Sequence, residues 1–363
     1  MPATTLTRQW DALLTLTLDN YRQTLVDNIH KAIPLLYWLR DRARGQGIRY
    51  ENGGALIQVP VVYQKNSNAG SYSKYDRLNI APTDEITSTF EEWSELATTV
   101  AISRREMRQN SGKHAKGNLL RGKVDTAELG LKELVETQLV QGTPNVGATG
   151  LFGPGNSSKD MIPLSKLIAK QAVAGQKIHN IDPAVETWWQ NRSSLSTTDA
   201  TATFVQMRKE MATLFNNCSK GATNDGPDLI LPDQNYFEAY ENGLVPNQRY
   251  GNYGDDGAAS VGFESLKYKS GVMIWSEFVP SFGTNASNAV TITQSAGDAV
   301  AYFINSRWLE LVIDEESDFV TTPFEEPVDQ TAVYAKILFM GQLTTTQRRK
   351  LGVHYNVNAS ALT

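Results

Sequence analysis

Very little in this 363-residue chain is equipped for covalent chemistry. Its one cysteine, Cys218, cannot form an internal disulfide, so no oxidising compartment is required and the thiol reads as a small buried hydrophobe. The four histidines, His30, His114, His179 and His354, stand far apart, and neither an HExxH pattern nor a Cys/His metal spacing occurs. No Gly-x-Ser-x-Gly elbow is present. No run approaches the ~18 apolar residues of a membrane span. Met1 to Asp19 lacks a basic stretch leading into a continuous apolar one, which predicts synthesis in the cytoplasm and no membrane partner. A dominant charge is also missing: 34 Lys and Arg against 39 Asp and Glu leave −5, too mild to mark a nucleic-acid binder by itself. The 40% hydrophobic content supports a real core and argues against disorder.

What the chain does have is a long hairpin followed at once by a long helix. Ile57, Val59, Val61 and Tyr63 alternate with Gln58 and Pro60 on the way out, and Ile86 to Phe90, then Thr98, Val100 and Ile102, run back. Pro60 cannot donate a ladder bond, so the outgoing strand is an edge strand. Between the strands Gln64 to Asn79 is rich in Asn, Ser, Gly and Tyr. Arms of about 15 residues at ~3.3 Å each reach roughly 50 Å, yet a lone hairpin has no core and is marginal in water. The arm therefore reads as an assembly device that needs a neighbour.

Local charge separates where the total does not. Ser103 to Lys123 carries Arg104, Arg105, Arg108, Lys113, Lys116, Arg121 and Lys123 against Glu106 alone, whereas Glu310 to Asp329 holds eight acids and no Lys or Arg. Such segments suit packing on one another, within or between subunits, or two solvated faces.

Along the chain, Leu18, Arg22, Leu25, Ile29 and Ile33 fall near helical spacing, and Pro34 either ends that pattern or opens a new short helix through Leu35, Leu36, Trp38 and Leu39. Lys113 to Gln141 predicts a helix with Leu120, Val124, Ala127, Leu131, Leu134 and Leu139 as its apolar stripe. A glycine- and proline-rich loop follows over Gly142 to Gly155, without the Lys-Ser/Thr ending of a phosphate-binding loop. Asp228 to Leu231 predicts a buried strand, and Pro232-Asp233 caps a helix bearing Tyr236, Phe237 and Tyr240. Leu266 to Trp275 predicts a hairpin, Phe303 to Ile313 a strand, and Val333 to Phe339 a last strand. Mixed elements without βα alternation define an α+β fold.

Three chemical readings are weak. Asp314, Glu316 and Asp318 on one strand face could hold calcium, but the loop lacks the Asp-x-Asp-x-Asp-Gly pattern and a solvated edge accounts for them. Glu91 and Glu92 beside Trp93 resemble the paired carboxylates of a glycosidase, where separation in space decides. The basic stretch 103–123 could make a nucleic-acid-binding module with salt-dependent affinity. A carboxylate hydrolase and such a module are the two rivals to an assembly role; no metal, cofactor or catalytic residue is assigned.

The order of these elements resembles the major capsid proteins of tailed double-stranded DNA phages, the HK-ninety-seven-type fold. The resemblance rests on the hairpin, the helix 113–141, the exit holding Gly150-Leu-Phe, the Pro227-Asp-Leu-Ile-Leu-Pro strand and Lys269-Ser-Gly-Val-Met-Ile-Trp, where Met273 replaces a frequent proline. It covers roughly Ile48 to Leu343. It implies an N-terminal arm over 1–44 and an extended E-loop over 45–93. A peripheral (P) domain over 94–160 would contain the spine helix 113–141, followed by an axial (A) domain over 161–305 with an insertion at 159–199, and 306–363 would return to the P domain. It further implies a homo-oligomer of hexamers and pentamers, a portal, a separate scaffolding protein, packaged double-stranded DNA, an optional decoration protein, and location in the virion. Inter-subunit contact candidates are Lys65, Tyr72, Lys74, Tyr75, Arg104, Arg105, Asp314, Glu315 and Glu316. Some relatives join a loop lysine to a P-domain asparagine, for which Lys65, Lys74, Asn356 and Asn358 are the candidates.

Overall fold

A computed structural model of the chain describes residues 32–41, 47–109, 119–141, 143–144, 152–153, 159–172, 174–196, 204–221, 225–244, 265–279, 283–284, 290–291, 298–327 and 330–358. Most of the N-terminal arm, the start of the expected spine helix, His30, His114 and most of the glycine-rich exit lie outside these residues. Two compact units emerge, one gathering Ala97–Leu131 and Thr321–Ile337, the other Lys31–Leu96, Lys132–Val320 and Leu338–Thr363.

In the larger unit, helix α1 (Pro34–Arg40) starts at a proline, whose missing N–H costs nothing in a first turn, and buries Leu35, Leu36, Trp38 and Leu39 as expected. Strand β1 (Ile48–Glu51) runs parallel to β14 (Leu309–Asp314), Ile48 beside Leu311. Just before β1, Gly47 lets the chain pass close against α1, because a Cβ there would sit 2.7 Å from the Leu39 carbonyl oxygen. Next come the hairpin strands β2 (Ile57–Val62) and β3 (Ile86–Glu91), antiparallel from Ile57–Glu91 to Val62–Ile86.

A six-stranded sheet forms the main core of this unit. Its order is β7 (Arg192–Leu195), β17 (Gly352–Asn358), β13 (Asp298–Ile304), β8 (Leu229–Pro232), β10 (Gly271–Ile274) and β9 (Ser265–Tyr268). Helices α5 (Phe204–Ser219) and α6 (Gln234–Leu244) supply Met211, Leu214, Phe215, Cys218, Tyr236 and Tyr240 to one apolar cluster with Tyr268, Met273, Ala301, Phe303 and Val357. The cap predicted at Asp233 is present: its Oδ1 accepts the Tyr236 N–H at 3.0 Å.

Two strand readings change. Phe303 to Ile313 is two strands, β13 and β14, separated by a turn at 305–308 in which the Trp308 N–H donates to the Asn305 carbonyl, and each joins a different sheet. Among the described residues the last strand is β17, after β16 (Ala332–Thr345). Consequently 306–363 is shared between sheets: β14 pairs with β16, while β17 lies between β7 and β13.

In the smaller unit, β15 (Val320–Thr321) and the first part of β16 pair, with the Thr322 N–H donating to the Lys336 carbonyl at 2.8 Å. Strand β4 (Ser94–Ser103) also pairs with β16 and leads into α2 (Arg104–Gln109). Helix α3 (Leu119–Val140) begins in this unit and ends in the larger one. Its buried side chains are Leu131, Val135, Glu136, Gln138, Leu139 and Val140, whereas Leu134 is 42% exposed. The apolar stripe therefore steps 131, 135, 139, and Leu134 falls on the solvent side.

Candidate assembly surfaces

The hairpin does have a neighbour, and it belongs to the same chain. Ile57, Val59 and Val61 turn one face of β2 inward, and Val59 and Val61 pack on Trp189, with Ile181 and Trp188 alongside. Tyr63 continues that face onto Trp188 at 6.0 Å between ring centres. Trp189 is held in turn by its indole N–H, which donates to the Ile178 carbonyl at 3.1 Å. The described part of 159–199, the segment expected as an elaboration, is thus the seat of the hairpin and buries Met161, Ile162, Leu164, Leu167 and Ile168 as well. At the hairpin's base the Trp93 indole donates to the Gly54 carbonyl at 2.9 Å.

One short turn fastens this seat. Arg348 is 1% exposed, and its guanidinium donates to the Leu167 carbonyl at 2.7 and 2.9 Å, the Trp189 carbonyl at 2.7 Å and Asn191 Oδ1 at 3.1 Å. All three acceptors are neutral, and burial lowers the guanidinium to about 9. Two residues on, the Lys350 ammonium donates to the Ser219 carbonyl at 3.0 Å, placing a cation at the C-terminal end of α5. Neither role has a sequence signature, because the partners are backbone carbonyls.

Beyond the seat, the tip is held by polar bonds. Asn68 donates to the Ala81 carbonyl at 2.6 Å, Asn79 donates to Asn68 Oδ1 at 2.7 Å, and the Ser73 N–H donates to Asp76 at 2.8 Å. Lys65, Tyr72, Lys74 and Tyr75 are all exposed there, Tyr75 at 96%, together with Leu78 and Ile80. Apolar and aromatic groups so placed gain nothing from the fold of one chain.

The charged segments are partly spent internally. Within the smaller unit Arg104 pairs with Glu326 and donates its backbone N–H to the Thr331 carbonyl, while Lys123 pairs with Glu106 at 3.0 Å. Arg105 is exposed. In the larger unit the shared strand face expected for Asp314, Glu316 and Asp318 does not exist, because β14 ends at Asp314 and Glu315 and Glu316 form an exposed turn. Asp318 instead binds Arg40 and accepts the Tyr50 hydroxyl at 3.3 Å. Asn356 and Asn358 lie on β17, an inner strand of the six-stranded sheet.

Titratable groups are buried as joints. Glu136 is wholly buried, and its carboxylate accepts the N–H groups of Leu35 at 2.9 Å and Leu36 at 2.8 Å, capping α1; burial pushes it up to about 7 against those two bonds. His354, also wholly buried, lies 2.8 Å from the Tyr236 hydroxyl through Nδ1 and 3.2 Å from Glu210 through Nε2. With Nδ1 accepting from the Tyr236 hydroxyl and Nε2 donating to Glu210, all three groups are satisfied. Burial pushes the Cys218 thiol up to about 12, as suits a packed and unreactive side chain. Among the described residues no cluster of His, Cys, Asp and Glu could hold a metal ion. Glu91 lies 3.7 Å from the buried His179 and Glu92 is exposed, so the two carboxylates do not face each other across a cleft.

No family model matches the chain, and no curated protein matches its sequence. Solved structures do match over nearly its whole length. The capsid of a native GTA particle aligns over 94% of this chain and 95% of its own, at a TM-score of 0.60 and 8% identity. The cyanophage A-1(L) capsid aligns over 95% and 98%, at 0.59 and 13%. The holo-SrpI encapsulin of Synechococcus elongatus PCC 7942 aligns over 96% of both chains, at 0.51 and 12%. The fold is therefore the α+β fold of tailed-phage capsids, as the sequence resemblance implied, and an encapsulin shares it. At these identities the likeness is one of fold.

Proposed function

We propose that the chain is a major capsid protein that self-assembles into a closed icosahedral shell around packaged double-stranded DNA. The observation that carries this is the match of the whole fold, end to end, to capsid chains. The hairpin supports it, since a firmly seated base presents a tip whose tyrosines and isoleucine face solvent. In this reading β2 and β3 are the E-loop and α3 is the spine helix. Lys65, Tyr72, Lys74, Tyr75, Arg105, Asp314, Glu315 and Glu316 contact neighbouring subunits, whereas Arg104 acts first within the chain through Glu326. Hexamers and pentamers, a portal, a separate scaffold and a decoration protein complete the assembly. A covalent link from Lys65 or Lys74 to Asn356 or Asn358 is the finest point of the reading, and a loss of ammonia in mass spectra of intact particles would reveal it.

Electron microscopy of purified protein with measurement of nucleic acid in the particles tests the proposal. Closed shells from native source carrying double-stranded DNA are expected. Closed shells enclosing protein cargo and no DNA would favour an encapsulin-like compartment, and a discrete small species under assembly conditions would overturn both. Replacing Gln64 to Asn79 by an Asn-Gly turn should preserve cooperative unfolding of the subunit and abolish robust shells.

A further inference from the structure

The two edges of the hairpin are not equivalent. The Tyr63 N–H donates to the Glu85 carbonyl at 3.1 Å, which sets the phase of the ladder. Residues 57, 59, 61 and 63 therefore direct their backbone groups towards β3, while Gln58, Pro60 and Val62 direct theirs away. Pro60 consequently removes a donor from the outer edge of β2 and none from the ladder. That is a blocked edge. On β3 the same phase turns the backbone groups of Ile86, Ser88 and Phe90 outward, and no proline interrupts them. Among the described residues β3 pairs with β2 alone.

The face of the hairpin turned away from Trp189 is apolar and exposed as well. Val62, Ile86 and Phe90 share the face away from Trp189 and are 71%, 64% and 38% exposed. Apolar exposure continues from Ile86 through Ile80 and Leu78 to Tyr75 and Tyr72. An occupant that covers both the strand edge and this run needs an extended segment and a folded surface beside it. A neighbouring subunit supplies both.

We propose that the outer edge of β3 receives a strand from a second copy of this chain, hydrogen-bonded to Ile86, Ser88 and Phe90, while Pro60 keeps the opposite edge from pairing. The inference rests on the shell reading and adds which edge is used and why only one is open. Strand addition of this kind takes its affinity from main-chain bonds and its register from the alternating side chains.

Residue-resolved amide hydrogen exchange, compared between assembled particles and dissociated subunits of the wild-type chain, tests it. The amides of Ile86, Ser88 and Phe90 should exchange about tenfold or more slowly in particles, while those of Thr87 and Thr89, already in the ladder, change little. Ser88→Pro deletes the central outward donor at a position paired with Pro60, so no β2–β3 bond is lost. Its subunit should unfold as the wild type does and its particles should fail or fall apart at lower denaturant, whereas Ser88→Ala particles should be normal. Outward amides that exchange equally fast in both states overturn the proposal, as do Ser88→Pro particles as robust as the wild type. Protection already complete in dissociated subunits overturns a second copy as the occupant. Wild-type protein that forms no closed particle overturns the shell reading and this proposal with it.

Discussion

The carboxyl of Glu136 makes the stability of this fold depend on pH in an unusual direction. Most carboxylates in proteins favour the folded state when ionised, and acid removes that contribution. Glu136 is held between two opposing influences: the N–H groups of Leu35 and Leu36 favour its charge, and complete burial disfavours it. Burial wins, moving the group from 4.5 to about 7. Between those values the folded chain holds a proton that the unfolded chain has released. Stability from this group is thus fully present below about 4.5 and is lost as pH rises through about 7. The shift of about 2.5 units at ~1.4 kcal/mol each is on the order of 3 kcal/mol. Glu136→Gln keeps one carbonyl acceptor and cannot titrate. Urea unfolding of both proteins, held below the concentration at which they assemble, should show the wild type gaining on the variant by about that amount between pH 8 and pH 4.5. All other titrating groups are common to both and cancel in the difference. A difference between the two proteins that stays constant across this range would refute the reasoning.

Arg348→Met should cost about 3 kcal/mol or more, because it orphans the buried carbonyls of Leu167 and Trp189; Arg348→Lys should recover only part of it, and urea midpoints would show both. Trp189→Ala should cost about 3–5 kcal/mol and loosen the hairpin from its seat, read as faster proteolysis within 57–91 than at α5. Leu131→Asp should abolish soluble expression by burying an unpaired charge, while Leu134→Asp, on the exposed side of α3, should express and fold as the wild type does. Equal effects of those two would show that the face of α3 is wrongly placed.

The parts of this fold that the sequence reveals are those whose cause is local. The alternation at Ile57 to Tyr63, the proline opening α1 and the Asp233 cap each act through neighbouring residues, and all three are observed. The errors have a common origin in long-range partners. Leu134 belongs to the apolar spacing of α3, but the side of the helix that is covered includes Glu136 and Gln138, whose burial is made tolerable by bonds to Leu35, Leu36, Asp160 and the Met161 N–H. Phe303 to Ile313 is apolar except for Glu310 and the consecutive Asn305-Ser306-Arg307, and those three adjoining polar residues mark a change of sheet. Trp188-Trp189 is conspicuous as a residue pair, yet nothing beside it in sequence says that a hairpin more than a hundred residues earlier will lie on it.

These joints also explain how a hairpin with an exposed tip can be tolerated. Glu136 ties α3 to α1 across 101 residues, Arg348 ties the last turn to Leu167 across 181, and Lys350 reaches Ser219 across 131. Each is a buried polar group satisfied largely by backbone, so it fixes where two segments of chain meet and tolerates little displacement, since a shift of an ångström leaves buried polar atoms unpaired. The tip has the opposite construction: short asparagine bonds hold its outline, while its large side chains remain in water. Damage to the joints should therefore appear as lost folding, and damage to the tip or to the β3 edge as lost assembly with folding intact. If shells and subunits weakened together across both classes of variant, the hairpin would be part of the fold and its role between subunits would have to be abandoned.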